Sequence, residues 1–503
     1  MDRSIRRVGV FLMLLFCALF VQLNYIQVLR APDLNKKPGN SRPIDLVFSE
    51  PRGSVSTADG VIIARSIPTS GKRKLQRVFP EGDLYAQITG YFNYSFGATG
   101  LEAAYNSELS GKATEQAIQD VTDLFRNRDR SGNLKLTVRS DVQKSARDAL
   151  GAQRGTVVAL DPRTGGVLAL WSYPSFDPNP LSSHDIESAS KVKTFLENSP
   201  GNPLLARAYR EIYPPGSTFK IVTGSIGVQT GKVTPDSPTY PVERSFTPPQ
   251  TTRPLPNYGG GACGGTLFRI LAKSCNTSFA RMGLEIGGPD MVAGAKRFGF
   301  DQVPPFDLPA VASVFPDQDF SRQLPTLAQA AIGQGSVAST PLQMALAAAA
   351  IANDGKVMVP HVVDDVIDQQ GALVRRNAPK VWSEAMSPET ADVMRQAMRQ
   401  VVAGGTATRL QIPGFDVGAK TGTAQFGAGK PLRSHAWVVA WAGPPGQPPV
   451  IAVAVIVEGQ EGLSELTGGR VAAPIARQVI ETALQPMPAP PPPPPATTTT
   501  GGR

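Results

Sequence analysis

A chain of 503 residues is long enough for roughly three to four average domains and a sizeable core. Its 41% hydrophobic and 18% charged residues exclude a wholly disordered or fibrous protein, and three His and three Cys, with no CxxC and no paired-His spacing, argue against a metal site or a disulfide scaffold. Lys and Arg (50) exceed Asp and Glu (41); the net charge of +9, unaccompanied by any RNA- or DNA-binding motif, suits an anionic neighbourhood without indicating nucleic acid.

At the amino terminus, Arg3, Arg6 and Arg7 precede an uncharged stretch running from residue 8 to residue 29. As a helix it would reach roughly 33 Å, one membrane crossing. Gln22, Asn24 and Gln27 weaken its second half, so a cleaved signal peptide is the rival reading, but no small-x-small cleavage site follows. The basic cluster predicts a cytoplasmic tip, with everything after Leu29 outside. Residues 30–50 read as a polar juxtamembrane linker. Residues 52–56 and 59–64 predict a β-hairpin, residues 98–125 carry helical spacing, 134–138 alternate as a strand, and 141–150 form an amphipathic helix. Two apolar runs, 156–160 and 167–171, flank the turn Asp161-Pro162-Arg163-Thr164-Gly165-Gly166 and predict a central antiparallel hairpin. The Ala-rich stretch 342–352 predicts a buried helix, 436–442 and 450–457 core strands of the same sheet, and 472–484 a closing helix. From Pro486 on, Pro and Thr runs predict an extended, solvated spacer.

Three motifs carry chemistry. In Tyr213-Pro214-Pro215-Gly216-Ser217-Thr218-Phe219-Lys220, Pro and Gly before a periodic run place Ser217 at a helix amino terminus, where unpaired N–H groups can face a developing oxyanion. Ser217 and Lys220, three apart, share a helical face, and Lys220 acts as a base only if burial or a second cation lowers its pKa. Taken alone the pattern is poor: a chain of this length holds about two Ser-x-x-Lys by chance, and an N-capped surface helix is the alternative. Lys273-Ser274-Cys275-Asn276-Thr277 presents a hydroxyl and an amide from one loop, or is an ordinary polar helix end. Val417-Gly418-Ala419-Lys420-Thr421-Gly422-Thr423-Ala424-Gln425 alternates as a strand, with Lys420 and Gly422 on one face and Thr421 and Thr423 on the other.

Ser-x-x-Lys, Ser-x-Asn and Lys-Thr-Gly in this order are the trio shared by class A β-lactamases and penicillin-binding proteins, here with Cys275 where the common pattern has Asp. Arg52-Gly53, Gly100-Leu101-Glu102 with Tyr105, and Tyr173-Pro174-Ser175-Phe176-Asp177-Pro178-Asn179 resemble the class B penicillin-binding proteins. His435-Ala436-Trp437 and Ala472-Ala473-Pro474-Ile475 resemble in particular the actinobacterial penicillin-binding protein A branch, and the resemblance covers most of residues 50–484. It implies a multidomain α+β fold: a cytoplasmic tip and transmembrane anchor (1–29), a non-catalytic dimerisation or pedestal domain (30–150), a transpeptidase domain with a helix-flanked antiparallel sheet (151–485) and a tail (486–503). It further implies that Ser217 is acylated by a D-Ala-D-Ala stem peptide, releasing D-Ala. Lys220 would take the Ser217 proton and Ser274 would pass one to the departing nitrogen, while Asn276 would orient Lys220 and the substrate amide. Lys420, Thr421, Gly422 and Thr423 would bind the terminal carboxylate, and the backbone N–H groups of Ser217 and Thr423 would form the oxyanion hole. No cofactor is implied. Implied partners are stem peptides on a lipid-linked precursor, β-lactams, the membrane, a separate glycosyltransferase and division or elongation proteins.

Related activities share the trio. A class A β-lactamase carries a water-activating Glu in a Glu-x-x-x-Asn pattern downstream of the second motif; here that pattern occurs only upstream, at Glu102 and Asn106. A D,D-carboxypeptidase and a catalytically idle wall-synthesis scaffold stay open as alternatives. His435, near the Lys-Thr-Gly strand, reads as a structural hydrogen-bonding residue, while His184 and His361 read as surface or loop residues. Cys263 and Cys275, in an oxidising compartment, leave a disulfide open. Asn257-Tyr258-Gly259-Gly260-Gly261 is a loop that could line the cleft.

Overall fold

Apolar side chains all round a helix require either a protein core or lipid. In the computed structural model, Arg3–Asn24 is such a helix, continued by a π-helical turn at Tyr25–Arg30, with its large apolar side chains exposed. The span Arg3–Gln27 is long and apolar enough to cross a membrane. The structure describes residues 3–30, 48–71, 73–93, 95–113, 130–426, 433–459 and 467–490. Most of the expected linker and tail, and the second half of the helical region at 98–125, therefore lie outside the described residues. Two compact units emerge, Met1–Pro51 with Ser66–Gln76, and Arg52–Arg65 with Arg77–Arg503.

The second unit contains strands of a mixed sheet and a five-stranded antiparallel sheet. The expected hairpin forms, with Val55 opposite Ala64 and Ser56 opposite Ile62. Asn133–Leu136 alternates half-buried and buried residues, as its sequence does, and pairs in parallel with Val55–Ser56 on one side. Its other side pairs antiparallel with Val363–Ile367, which in turn pairs with Leu373–Arg376. Residues more than two hundred positions apart thus complete one sheet. Between 98 and 113 the helical spacing yields only two short helices, Gly100–Ala104 and Asn106–Leu109. Glu102 on the first is fully buried and accepts from Arg52 Nε and Arg77 Nε, each at 2.6 Å. Burial alone would raise its carboxyl pKa, but the two guanidinium groups hold it below the usual range. Asn106 accepts from Arg52 Nη1 at 2.8 Å. The upstream Glu-x-x-x-Asn is therefore an ion-pair anchor.

The large sheet runs in the order Asp416–Phe426, Arg433–Gly443, Ile451–Val457, Gly155–Leu160, Val167–Tyr173, every neighbour antiparallel. The hairpin expected at its centre instead forms one margin, because three strands from the last hundred residues add to the far side of Gly155–Leu160 and leave Val167–Tyr173 at the edge. The Lys-Thr-Gly strand is the opposite edge. Pro341–Ala352 is buried at every residue and packs on this sheet, as do Ser140–Leu150 and Ala472–Ala483. Its alanines present little side chain, so helix and strands approach closely. Thr340 caps it by accepting from the Gln343 N–H, with Pro341 at the first turn. His361 departs from expectation: it is only 7% exposed, in a bridge to Gly166, with Nδ1 3.2 Å from the Val359 carbonyl. Its carbonyl accepts from Val167 N–H, and this backbone pairing draws the ring inward.

Candidate active site

The first motif folds as a 3-10 turn, Gly216–Phe219, leading into the helix Lys220–Gln229. Proline cannot donate a backbone hydrogen bond, so the Pro214-Pro215 pair is held through its carbonyls: Pro214 O accepts from Trp437 Nε1 at 3.1 Å and Pro215 O from Thr218 Oγ1 at 2.6 Å. Tyr213 bridges Ser339 through both backbone groups and donates its hydroxyl to Glu458 at 2.8 Å. Gly216 has φ +53, and a Cβ there would lie 3.1 Å from Ala424 Cα and Thr423 O. Glycine thus lets the turn lie directly against Thr423 and Ala424 of the edge strand. Ser217 is half-buried at this junction.

The second motif joins two helices, Leu267–Lys273 and Asn276–Ile286. Ser274 ends the first in the left-handed region, φ 61 and ψ 42, a conformation that costs a non-glycine residue free energy and clusters at functional sites. The disulfide left open by the sequence is present: Cys275 bonds Cys263 with their Cα atoms 5.4 Å apart, tying the motif to the strand Cys263–Gly265. Asn276 Nδ2 donates to Pro256 O at 3.0 Å, which anchors it to the neighbouring loop.

Two fully buried lysines join the motifs. Lys220 Nζ donates to Asn276 Oδ1 at 2.7 Å and Ser274 O at 2.8 Å, and lies 3.2 Å from Ser274 Oγ. Lys420 Nζ donates to Ser274 Oγ at 2.8 Å and Thr421 O at 2.7 Å. Burial, and after it the charge of Lys420, pushes the Lys220 pKa well below its ordinary value. Burial brings Lys420 down to about 7. The neighbouring His435 is pushed to about 4 by burial; its Nδ1 accepts from Gly459 N–H at 3.2 Å and its ring meets Tyr213 edge-on. It is the structural residue that the sequence suggested.

Above these lysines opens a cleft of about 1460 Å³, lined among others by Ser217, Ser274, Asn276, Thr421 and Thr423. Lys220, Lys420 and Gly422 stand behind it. Gly422 serves packing: a Cβ there would lie 2.9 Å from Thr218 Cγ2, 3.0 Å from Trp437 Cβ and 3.1 Å from Pro215 O. The loop 257–261 borders the cleft as expected. Two contributors escaped the sequence reading. Thr406 Oγ1 lies 2.6 Å from Thr421 Oγ1, and residues 467–470 run beside the Lys-Thr-Gly strand, where a Cβ on Gly468 would meet Trp437 O at 1.9 Å. Neither carries a local motif; the Gly468-Gly469 pair is the one available signal of close approach.

Residues 155–481 match the penicillin binding protein transpeptidase domain, and residues 52–134 the penicillin binding protein A dimerisation domain. The chain is 38% identical over 502 residues to the peptidoglycan D,D-transpeptidase PbpA of Mycolicibacterium smegmatis, covering 96% of this chain and 99% of that protein. It is 36% identical to the PbpA of Mycobacterium tuberculosis, covering 97% and 100%. The ceftriaxone acyl-enzyme complex of penicillin-binding protein A from M. tuberculosis superposes with a TM-score of 0.81 at 35% identity, over 88% of this chain and all of that one.

Proposed function

Since this chain belongs to the penicillin-binding protein transpeptidases, we propose that its cleft performs serine acyl transfer on peptidoglycan stem peptides, with Ser217 as the nucleophile. The protein is a peptidoglycan D,D-transpeptidase of cell wall synthesis, acylated by β-lactams.

The observation that carries the residue roles is the hydrogen-bonded chain Asn276–Lys220–Ser274–Lys420, which links all three motifs under the cleft. A neutral amine has two N–H donors and one lone pair. In this reading the two N–H groups of neutral Lys220 serve the nearer oxygens, Asn276 Oδ1 and Ser274 O, and its lone pair, no longer engaged by the more distant Ser274 hydroxyl at 3.2 Å, takes the proton of Ser217, three residues back. Ser217 Oγ then attacks the carbonyl of the penultimate D-Ala, and the oxyanion meets the N–H groups of Ser217 and Thr423. The Ser274 hydroxyl, replenished from the lysine pair, delivers a proton to the departing D-Ala nitrogen as the peptide bond breaks. An amine from a second stem attacks the ester, its proton returns to Ser217, and a cross-link forms. One peptide bond replaces another, so no nucleotide is consumed. Thr421 and Thr423 hold the terminal carboxylate; Lys420 acts from behind, through Ser274 and the field at the site.

The arginines ahead of the apolar stretch support an orientation with the amino terminus inside and this chemistry outside the cell, and glycan polymerisation falls to a separate enzyme, with division or elongation proteins alongside. Intact mass after penicillin exposure tests the nucleophile: one lasting adduct is expected on the wild-type chain and none on Ser217→Ala. An adduct that persists in Ser217→Ala overturns the assignment, and D-Ala release without cross-linked product would make the enzyme a carboxypeptidase.

A further inference from the structure

A donor peptide bound at Thr421 and Thr423 presents one terminal carboxylate, yet the cleft offers far more positive charge than that. Among the described residues Arg253, Arg269, Lys273, Arg409 and Arg470 line it, and no carboxylate does. All five are exposed, and none has a described carboxylate partner. Arginines elsewhere, such as Arg139, Arg163, Arg281, Arg376 and Arg399, are paired.

Two of them are neighbours on one helix. Arg269 and Lys273 stand four apart on the helix Leu267–Lys273, where like charges repel. Lys273 Nζ donates to Gly404 O at 3.0 Å, and Arg409 Nη1 to Arg470 O at 3.0 Å. These neutral carbonyls steady the cations at the cleft wall without cancelling their charge. The Thr406 N–H to Ala272 carbonyl bond and the Thr406–Thr421 hydroxyl pair put this wall beside the Lys-Thr-Gly strand. A concave surface with one sign of charge focuses field and gathers ligands of the opposite sign.

We propose that these five cations form a carboxylate-reading rim, which makes the cleft select stem peptides carrying free side carboxylates over the same peptides with those groups amidated. The inference rests on the transpeptidase reading for the identity of the ligand as a stem peptide. Lys420 cannot supply this selectivity, because its amine is buried and committed to Ser274 and Thr421. Rim charges govern encounter and salt dependence more than the chemical step, so the preference belongs in binding.

The test is equilibrium binding of fluorescent pentapeptide pairs, free acid against side-chain amide with the terminal carboxylate kept in both, to the full-length chain in detergent carrying Ser217→Ala, which prevents turnover. At low ionic strength the free acid is expected to bind on the order of tenfold more tightly. The ratio should fall towards one in high salt, which screens exposed charges beyond a few ångströms, and in the combined variant Arg253→Gln, Arg269→Gln, Lys273→Gln, Arg409→Gln, Arg470→Gln. Equal binding of the two peptides before any further substitution, or a ratio unmoved by both salt and the variant, overturns the proposal. Inorganic pyrophosphate competing as well as a free-acid peptide overturns it in favour of phosphate recognition. Absence of a penicillin adduct on the wild-type chain would instead strike the function reading and leave this binding ratio to be judged by itself.

Discussion

At the scale of single residues, the proposed mechanism turns on Lys220, because an ammonium is useless as a base. Its pKa is lowered first by burial and then by the neighbouring Lys420, so the amine is available where an exposed lysine would be charged. Lys220→Arg keeps the positive charge but carries a group that cannot lose its proton; penicillin acylation, followed by stopped-flow or intact mass, should slow by about 10²–10⁴-fold. The sign of the coupling is also testable. In the proposed mechanism acylation needs Lys220 neutral, so its rate should climb as pH rises through the Lys220 pKa. Removing the neighbouring cation with Lys420→Met raises that pKa, and the acid limb of the pH–rate profile should move to higher pH, in addition to any fall in rate from losing the Ser274 contact. An unmoved limb would mean that burial alone keeps Lys220 neutral. Sequence reasoning proposes these residues because the three motifs are local patterns. It could state only the condition for a lowered pKa, because burial at Lys220 arises from packing against residues far along the chain.

At the scale of elements, the site depends on how closely an edge strand can lie against a helical turn. Gly216 and Gly422 both sit where a Cβ would crowd the opposing backbone, so the Lys-Thr-Gly strand and the Ser217 turn come together without side chains between them. Gly422→Val should wedge them apart, destabilising the fold by about 1–3 kcal/mol in chemical denaturation and slowing acylation beyond what lost stability explains. Unchanged acylation in a stably folded Gly422→Val chain would refute this account of the glycine. The strand and helix spacings of the catalytic region are legible in sequence, as Gly155–Leu160, Pro341–Ala352 and Ile451–Val457 show. The neighbour order in the sheet is not. Gly155–Leu160 and Val167–Tyr173 read as the middle, yet strands from the end of the chain make the hairpin a margin, because nothing in an apolar run says how many partners will join it.

At the scale of the molecule, the catalytic region and the segment before it share structure. Val363–Ile367, contributed from within the transpeptidase match, pairs with Asn133–Leu136. A chain beginning at Gly155 would leave the backbone groups and buried valines of Val363–Ile367 without that partner, an invitation to edge-to-edge association. We expect such a chain to aggregate where one beginning at Arg52 stays monodisperse, with size-exclusion chromatography as the measure. Equal behaviour would show that the two segments are energetically separable. We propose residue 150 as a boundary of function on this view, between a supporting segment and a catalytic one that completes its sheet.

The sequence by itself determined the chemistry on offer: a serine and a lysine one helical turn apart, a hydroxyl and an amide flanking one residue, and a cationic strand with a glycine. It also determined the apolar amino-terminal helix and the buried Ala-rich one, because periodicity and composition act within a single element. Only the tertiary structure decided that Lys220 and Lys420 meet at Ser274, that Cys263 reaches Cys275, and that five exposed cations line one cleft. Those relations depend on which distant segments pack together. That is settled by the burial of a whole core and by the completion of backbone hydrogen bonds, neither of which any short stretch of residues encodes.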